Sequence, residues 1–329
     1  MEVCPVRYVE GLYPPEVEDP RSHFIASGAV LLSVSVGICV HNEEKNITNV
    51  VGAVLREPIV DELILVASGC TDSTVERLQP FRDDGRLQVI VEPTRTGKTS
   101  AFNIVLAVYR GDFLVSLPGD VVPTTGSIAT LVESFRDGVG VVGGLPIPAN
   151  GRETIMDRVA MLAWAYHNAA LLELERRGRL GHVSGEIFAI RRGVVEHLPP
   201  EIVLDDAGLA LAALQAGYRI SIEPRANVVM RGARTPKDFL IQRRRNIVGH
   251  RQLNRQRRGY GGPPSLTFSN GLADSIQALA SVLRESPGLI VALPPSIVLE
   301  GLSRILAWVD WHKGRTHRIW EIAASTKGP

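Results

Sequence analysis

Cysteine is scarce in this chain: Cys4, Cys39 and Cys70 are the only 3 in 329 residues. They have neither the paired spacing of a zinc site nor the density of a disulfide scaffold, which suits a reducing compartment. A surplus of charge is missing too. With 36 Lys and Arg against 35 Asp and Glu the formal net charge is +1, too small for a global field that would draw the chain to nucleic acid or membrane. The N-terminus, "MEVCPVRYVEGLYPPEVEDP", lacks the basic start and apolar run of a secretory signal and reads as an acidic, proline-containing arm beside the domain. No internal repeat or low-complexity tract is visible. One glycine is also absent where it matters: "EPTRTGKTS" ends like a phosphate-gripping P-loop, but the position of that loop's first glycine is Glu92. Without that curl, successive N–H groups cannot face a phosphate. No second acidic motif of the NTPase kind accompanies it, so Gly97-Lys98 needs another explanation.

What is present is a folded protein's composition, 45% apolar and 22% charged, with length for one large domain or two modest ones. From Leu32 onward, apolar runs alternate with stretches of helical period. The pattern predicts strands at "LLSVSVGICV" (31–40), "DELILVAS", "LQVIVE", "DFLVSLPGD" (112–120) and "VGVVGGLPIP". Helices are predicted over 43–55, in "STVERLQPF" and over 98–109. A long helix over 153–177, a strand at "VSGEIFAIRR", a helix in "LDDAGLALAALQAGY", an extended "YRISIEPRANVVM" and a helix from Pro236 follow. Such alternation implies an α/β, mostly parallel sheet covered on both faces. Ligands then gather at the carboxyl ends of the strands.

Polar clusters fall at those ends: His41-Asn42-Glu43-Glu44, Ser68-Gly69-Cys70-Thr71-Asp72, Pro118-Gly119-Asp120, and Asp205-Asp206 opening a helix. Each alone has a plain account, since Asn42 or Asp72 can cap a helix, Asp120 can shape a turn and the aspartate pair can answer a helix dipole. Their joint placement says more.

Over 33–250 the chain resembles the family-2 glycosyltransferases with the GT-A fold, a Rossmann-like mixed and mostly parallel sheet. "VSVGICVHNEEKNI" is similar to the family's first strand and Asn-Glu-Glu turn, "ILVASGCTDST" to its second strand and loop, and "RTGKTSAFN" to its Gly-Lys…Ala-x-Asn element. The resemblance implies that Asn42, Glu43, Ser68, Asp72, Gly97, Lys98, Ser184, Gly185, Gln242 and Arg245 bind a nucleoside diphosphate sugar. It implies that Asp120 of "LPGDVVP" holds Mn²⁺ or Mg²⁺, and that Asp206, with Asp205 as its neighbour, is the catalytic base of an inverting transfer of a hexose, mannose or glucose favoured. A carboxylate beside another has raised proton affinity, which suits a base. Three positions depart from the pattern. Pro118 stands where the first metal-binding aspartate is usual, Ala67-Ser68 where an aspartate pair meets the nucleobase, and Asn246 where "QRRRN" would end in tryptophan. These departures leave open a non-catalytic nucleotide-sugar-binding relative as the alternative.

The stretch 236–258 carries Lys237 and seven arginines against Asp238 alone, which predicts a basic face; with few aromatics for base stacking, nucleic acid is not its expected partner. A Gly261-Gly262-Pro263-Pro264 hinge precedes Leu272, Ile276, Leu279, Ala280 and Leu283 at helical spacing, then a mostly apolar 288–311 interrupted by Pro294, Pro295 and Glu300. The resulting expectation is an arm (1–31), a catalytic domain (32–260) and a helical, membrane-associated tail (261–329), with Trp308, Trp311 and Trp320 at the headgroup boundary. The catalytic domain is expected to be cytoplasmic, and the acceptor lipid-linked, such as a polyprenyl phosphate, or membrane-proximal.

Overall fold

The computed structural model describes residues 7–8, 32–257 and 272–327. Most of the arm, the Gly-Pro hinge and both expected domain boundaries lie outside them. The strands are β1 (Arg7–Tyr8), β2 (Val34–Val40), β3 (Val60–Ser68), β4 (Leu87–Glu92), β5 (Phe113–Pro118), β6 (Val122–Pro123), β7 (Val139–Pro148), β8 (Phe188–Arg191) and β9 (Arg219–Met230). They form one sheet in the order β1-β4-β3-β2-β5-β8-β7-β9-β6. Pairing is parallel from β1 through β5 and again between β7 and β9; β8 runs antiparallel to β5 and β7, and β6 to β9. This is the mixed, mostly parallel sheet expected.

Both faces of the sheet are covered, and the period of two in β3 shows how. Leu63, Leu65 and Ala67 pack with Ile47, Val50, Val51 and Val54 of α1 (Ile47–Leu55) and with Ile128 and Leu131 of α3 (Ser127–Glu133). Ile64 and Val66 face α2 (Lys98–Val108), the last turns of α4 (Ile155–Arg176) and α5 (Asp205–Gln215) through Phe102, Val105, Leu171, Leu209 and Ala213. Alternate residues of a strand point to opposite faces, so a strand buried on both reads as one apolar run.

The differences from the sequence reading are local. The first helix starts at Ile47, not Glu43, because Asn46 and Ile47 both donate to the Glu43 carbonyl at 2.9 Å, in a turn that follows Asn42 at a positive φ of 56°. "ERLQPF" is a 3₁₀ turn containing Pro80, which has no N–H to continue an α-helix. α3 and β6 are additional elements, and "VSGEI" is loop before the four-residue β8. α4 begins at Thr154 in a full capping box with Asp157.

Behind the sheet lie α6 (Pro236–Arg257), α7 (Leu272–Glu285), a 3₁₀ segment Pro287–Ala292 and α8 (Leu293–His312). Met156, Val159 and Leu162 of α4 share an apolar cluster with Phe239, Val282, Leu289 and Leu299. The expected basic face is largely spent inside the protein. Arg243 donates twice to Glu300 at 2.9 Å, Arg244 donates to buried Asp310 at 2.6 and 2.9 Å, and Arg255 stacks over Trp311. Glu300 also pairs with Arg304 at 3.2 Å, one turn along α8. Of the apolar residues at helical spacing in α7, Ile276 is 57% exposed, while Ala278 and Val282 are buried.

Candidate active site

The loops after β2, β3 and β5, the loop before β8 and the first turn of α5 converge on one cavity of about 1170 Å³, closed at the back by α4, α6 and α8. Close approach is built in. A Cβ on Gly119 would lie 2.4 Å from Val40 and 3.1 Å from the Glu43 side chain, so only glycine lets the Pro118-Gly119-Asp120 turn lie against the end of β2. A Cβ on Gly185 would reach within 2.9 Å of Asp206 Oδ2, so the loop before β8 presses its backbone on that carboxylate.

Glu43, Ser68, Gly97, Lys98, Asp120, Ser184, Gly185, Asp206, Gln242 and Arg245 all line this cavity, though they come from seven different places in the chain. Asn42, Asp72 and Asp205 do not open on it. Asn42 clamps Thr71, accepting from its N–H at 2.8 Å and donating to its hydroxyl at 3.0 Å. Asp72 accepts from the Glu44 N–H, and from the Thr74 N–H and hydroxyl, holding two loops together. These two are joiners of the site's walls. Asp205 is buried and pairs with Lys98 at 3.2 Å; Asp206, one residue on and rotated by about 100° on the helix, faces the cavity.

Electrostatics follow from burial. Asp206 is raised to about 6, first by burial and then by the charge of Asp205, against the pull of Lys98 and Arg245. Glu43 and Glu186 are each raised to about 7 by burial and by the charge of Asp120, which burial raises in turn. For Lys98, burial works against the ammonium, but Asp205, Asp206 and Glu186 outweigh it and its pKa is raised. Burial lowers Arg245 to about 10. The hydroxyls of Ser68 and Ser184 line the cavity, buried and without a hydrogen-bond partner among the described residues.

The donor set fits a hard divalent cation. Asp120, Glu43 and Glu186 offer carboxylate oxygens whose proton affinity is raised first by burial and, for the two glutamates, by the charge of Asp120. Among the described residues no three His, Cys, Asp or Glu side chains are grouped to enclose a metal by themselves. That agrees with Pro118 at the neighbouring position and with the habit of Mg²⁺ of taking one or two carboxylates plus substrate phosphates.

The end of the chain supplies residues that sequence reasoning missed. After α8 the segment 313–327 runs back over the cavity, fastened by His317 to Asp310 at 3.0 Å and by the Ser325 N–H donating to Asp238 at 3.0 Å. Lys327 pairs with Glu43 and donates to the carbonyls of His41 and Asn42, each at 2.8 Å. Trp320 lies 3.6 Å from the Arg245 guanidinium and 5.0 Å from the Lys98 ammonium, ring centroid to charge, and its indole N–H donates to Val203. It lines the cavity. An aromatic ring does meet the Gln-x-x-Arg segment, from Trp320 instead of position 246. Glu186 stood in plain view inside "SGEIFAIRR"; Trp320 and Lys327 carry no local signal.

The sequence and the fold have counterparts. Residues 35–198 match the family Glycosyl transferase family 2. Poly-beta-1,6-N-acetyl-D-glucosamine synthase of Staphylococcus epidermidis is 20% identical over 200 residues, 59% of this chain and 48% of that protein. The chain thus spans about half the length of the curated relatives it matches. A mannosyltransferase from Pyrobaculum calidifontis, solved with GDP-Man and Mn²⁺, superposes with a TM-score of 0.58 at 18% identity, over 88% of this chain and 87% of that one. Glucosyl-3-phosphoglycerate synthase from Mycobacterium tuberculosis, solved with Mn²⁺, UDP-Glc and phosphoglyceric acid, gives 0.41 at 24% identity over 60% and 74%. Residues 35–198 thus match a family 2 glycosyltransferase domain, and the fold is GT-A-like.

Proposed function

We propose that this chain is a nucleotide-sugar-dependent, inverting hexosyltransferase that transfers mannose or glucose to the hydroxyl of a lipid-linked or membrane-proximal acceptor. The observation that carries the reading is the division of the aspartate pair: Asp205 is spent on Lys98, while Asp206, raised to about 6, faces the cavity. Asp206 takes the proton of the acceptor hydroxyl as its oxygen attacks the anomeric carbon from the face opposite the leaving group. The bond from that carbon to the diphosphate oxygen breaks, and its electron pair leaves with the nucleoside diphosphate. Lys98 and Arg245 lie on the cavity wall where that negative charge grows. Asp120, with Glu43 or Glu186 beside it, would hold Mn²⁺ or Mg²⁺, which supplies further charge neutralisation when bound. Ser68, Ser184 and Gln242 offer polar atoms to the donor. A non-catalytic binder would have no use for a carboxylate set beside buried Asp205 yet turned to the cavity. Thermal-shift titration with GDP- and UDP-sugars, with and without Mn²⁺, followed by a transfer assay with the stabilising donor, tests the reading; no stabilisation by any donor would refute it.

Trp320 is assigned to the donor side. A desolvated cation–π contact contributes about 2 kcal/mol, so Trp320→Ala is expected to raise the donor KM roughly tenfold or more, with a smaller change in kcat. Steady-state kinetics in donor concentration checks this.

Membrane association rests on α8. The stretch Pro287–His312 is long and apolar enough to cross a membrane, yet α8 is tied to α6 by Arg243–Glu300 and Arg244–Asp310. Its outer side shows Ile297, Val298, Ile305 and Trp308, each more than half exposed. A helix held flat with an apolar outer face fits an interfacial position better than a spanning one. Flotation with anionic liposomes is expected to retain the protein at high salt, and Ile297→Asp/Ile305→Asp to abolish that retention; a protein that never floats would return this face to a protein contact.

A further inference from the structure

The cavity is larger than one small ligand requires, since pockets for such molecules run from about 300 to about 1,000 Å³, and its rear half has its own chemistry. There His167 of α4, His182 of the loop leading to Ser184 and Gly185, and His250 of α6 stand in a row, with ring centroids 6.1 Å and 5.9 Å apart. Trp164 meets His167 edge-on at 5.4 Å. Nε2 of His167 and the hydroxyl of Ser296 on α8 are buried with no hydrogen-bond partner among the described residues, and both residues line the cavity. A buried polar atom without a partner costs free energy unless something occupies the space before it. The donor half already has its own orphans in Ser68 and Ser184, so these two atoms answer a different molecule.

We propose that this rear half, between α4, α6 and α8, is an acceptor chamber for a hydroxyl-rich, sugar-like headgroup, read by His167, His182, His250 and Ser296. The proposal rests on the glycosyltransferase reading and deepens it by naming the acceptor's chemistry. Imidazole rings and a serine hydroxyl offer donors and acceptors, the set that sugar hydroxyls match, and Trp164 adds an aromatic wall. Burial and the neighbouring His182 and Arg243 push His167 down to about 3, so it carries no charge for an anion at neutral pH. The arginines at the outer end, Arg243 and Arg304, are both engaged with Glu300. The chamber reaches Asp206 through the short loop from His182 to Gly185, and its outer wall includes Ile276 and Ile297, on the exposed apolar side of α7 and α8. An acceptor with an apolar tail can therefore lay that tail along the helices and present a sugar hydroxyl to the base.

Octyl β-glucoside and octyl phosphate, each below its micelle concentration, separate a sugar head from a phosphate head on the same tail. Binding is measured calorimetrically to the full chain with nucleoside diphosphate and Mn²⁺ present. Octyl β-glucoside is expected to bind saturably and more tightly than octyl phosphate. Ser296→Ala is expected to weaken it about three- to tenfold, and His167→Phe more than tenfold. Ser296→Ala removes a single oxygen, so a folding defect in His167→Phe does not silence the test. Preferred binding of octyl phosphate, no binding of either, or glucoside binding untouched by Ser296→Ala overturns the proposal. Failure of the glycosyltransferase reading shows separately, as absence of any nucleoside diphosphate stabilisation of the wild-type chain.

Discussion

Asp206→Asn is expected to lower turnover at least about a hundredfold with little change in donor affinity, because general-base catalysis acts in the transition state and contributes roughly 10²–10⁴. The pH dependence carries the same assignment. The Asp206 carboxyl is raised to about 6 by burial and by Asp205, and a base works only when ionised. Rates in the wild type should therefore rise with pH, about tenfold per unit below about 6, and level off above it; in Asp206→Asn the residual rate should lose that step. Single-turnover rates between pH 5 and 8, with donor binding measured in parallel, check both. Asp205→Asn should behave differently. It removes the salt-bridge partner of buried Lys98 and leaves the ammonium only the charges of Asp206 and Glu186, so its signature is lost stability, up to about 3–5 kcal/mol for a broken buried pair, seen by denaturant titration. A wild-type rate in Asp206→Asn would show the roles reversed.

Asp120→Asn is expected to remove metal-dependent donor binding and turnover together. Pro118 and Gly119 have no side-chain oxygen to substitute, and Glu43 and Glu186, raised to about 7 by burial and then by the charge of Asp120, are only partly ionised at neutral pH. Calorimetric titration of Mn²⁺ with nucleoside diphosphate should show the saturable heat of the wild type vanish. Undiminished Mn²⁺ stimulation in the variant would place the cation elsewhere.

The sequence by itself determined the parallel core and the gathering of its polar ends. Strands buried on both faces must be apolar throughout, so β2, β3, β5 and β7 announce themselves, and the polar residues that stop each run mark the carboxyl edge where Glu43, Ser68 and Asp120 meet. The helix after Leu204 was legible for the same reason; the choice between its two adjacent aspartates came from the family resemblance, since Asp206 stands one turn before buried Ala210 just as Asp205 stands one turn before buried Leu209. Only the tertiary structure decided how the basic stretch and the tail are used. Arginines at 243, 244 and 245 look alike as a string, but a helix spreads them over different directions, to Glu300, to Asp310 and into the cavity. Trp320 and Lys327 reach Arg245 and Glu43 because the segment after α8 folds back across the sheet edge, a path set by its anchors on Asp310 and Asp238 and by no local pattern. The histidine row is the same kind of object: three residues from α4, a loop and α6, each an ordinary half-buried histidine in the string, become one chamber wall because α4 and α6 pack behind the sheet at the distance that brings their rings together. Local periodicity encodes which face of an element is buried; it does not encode what lies on the other side of the contact.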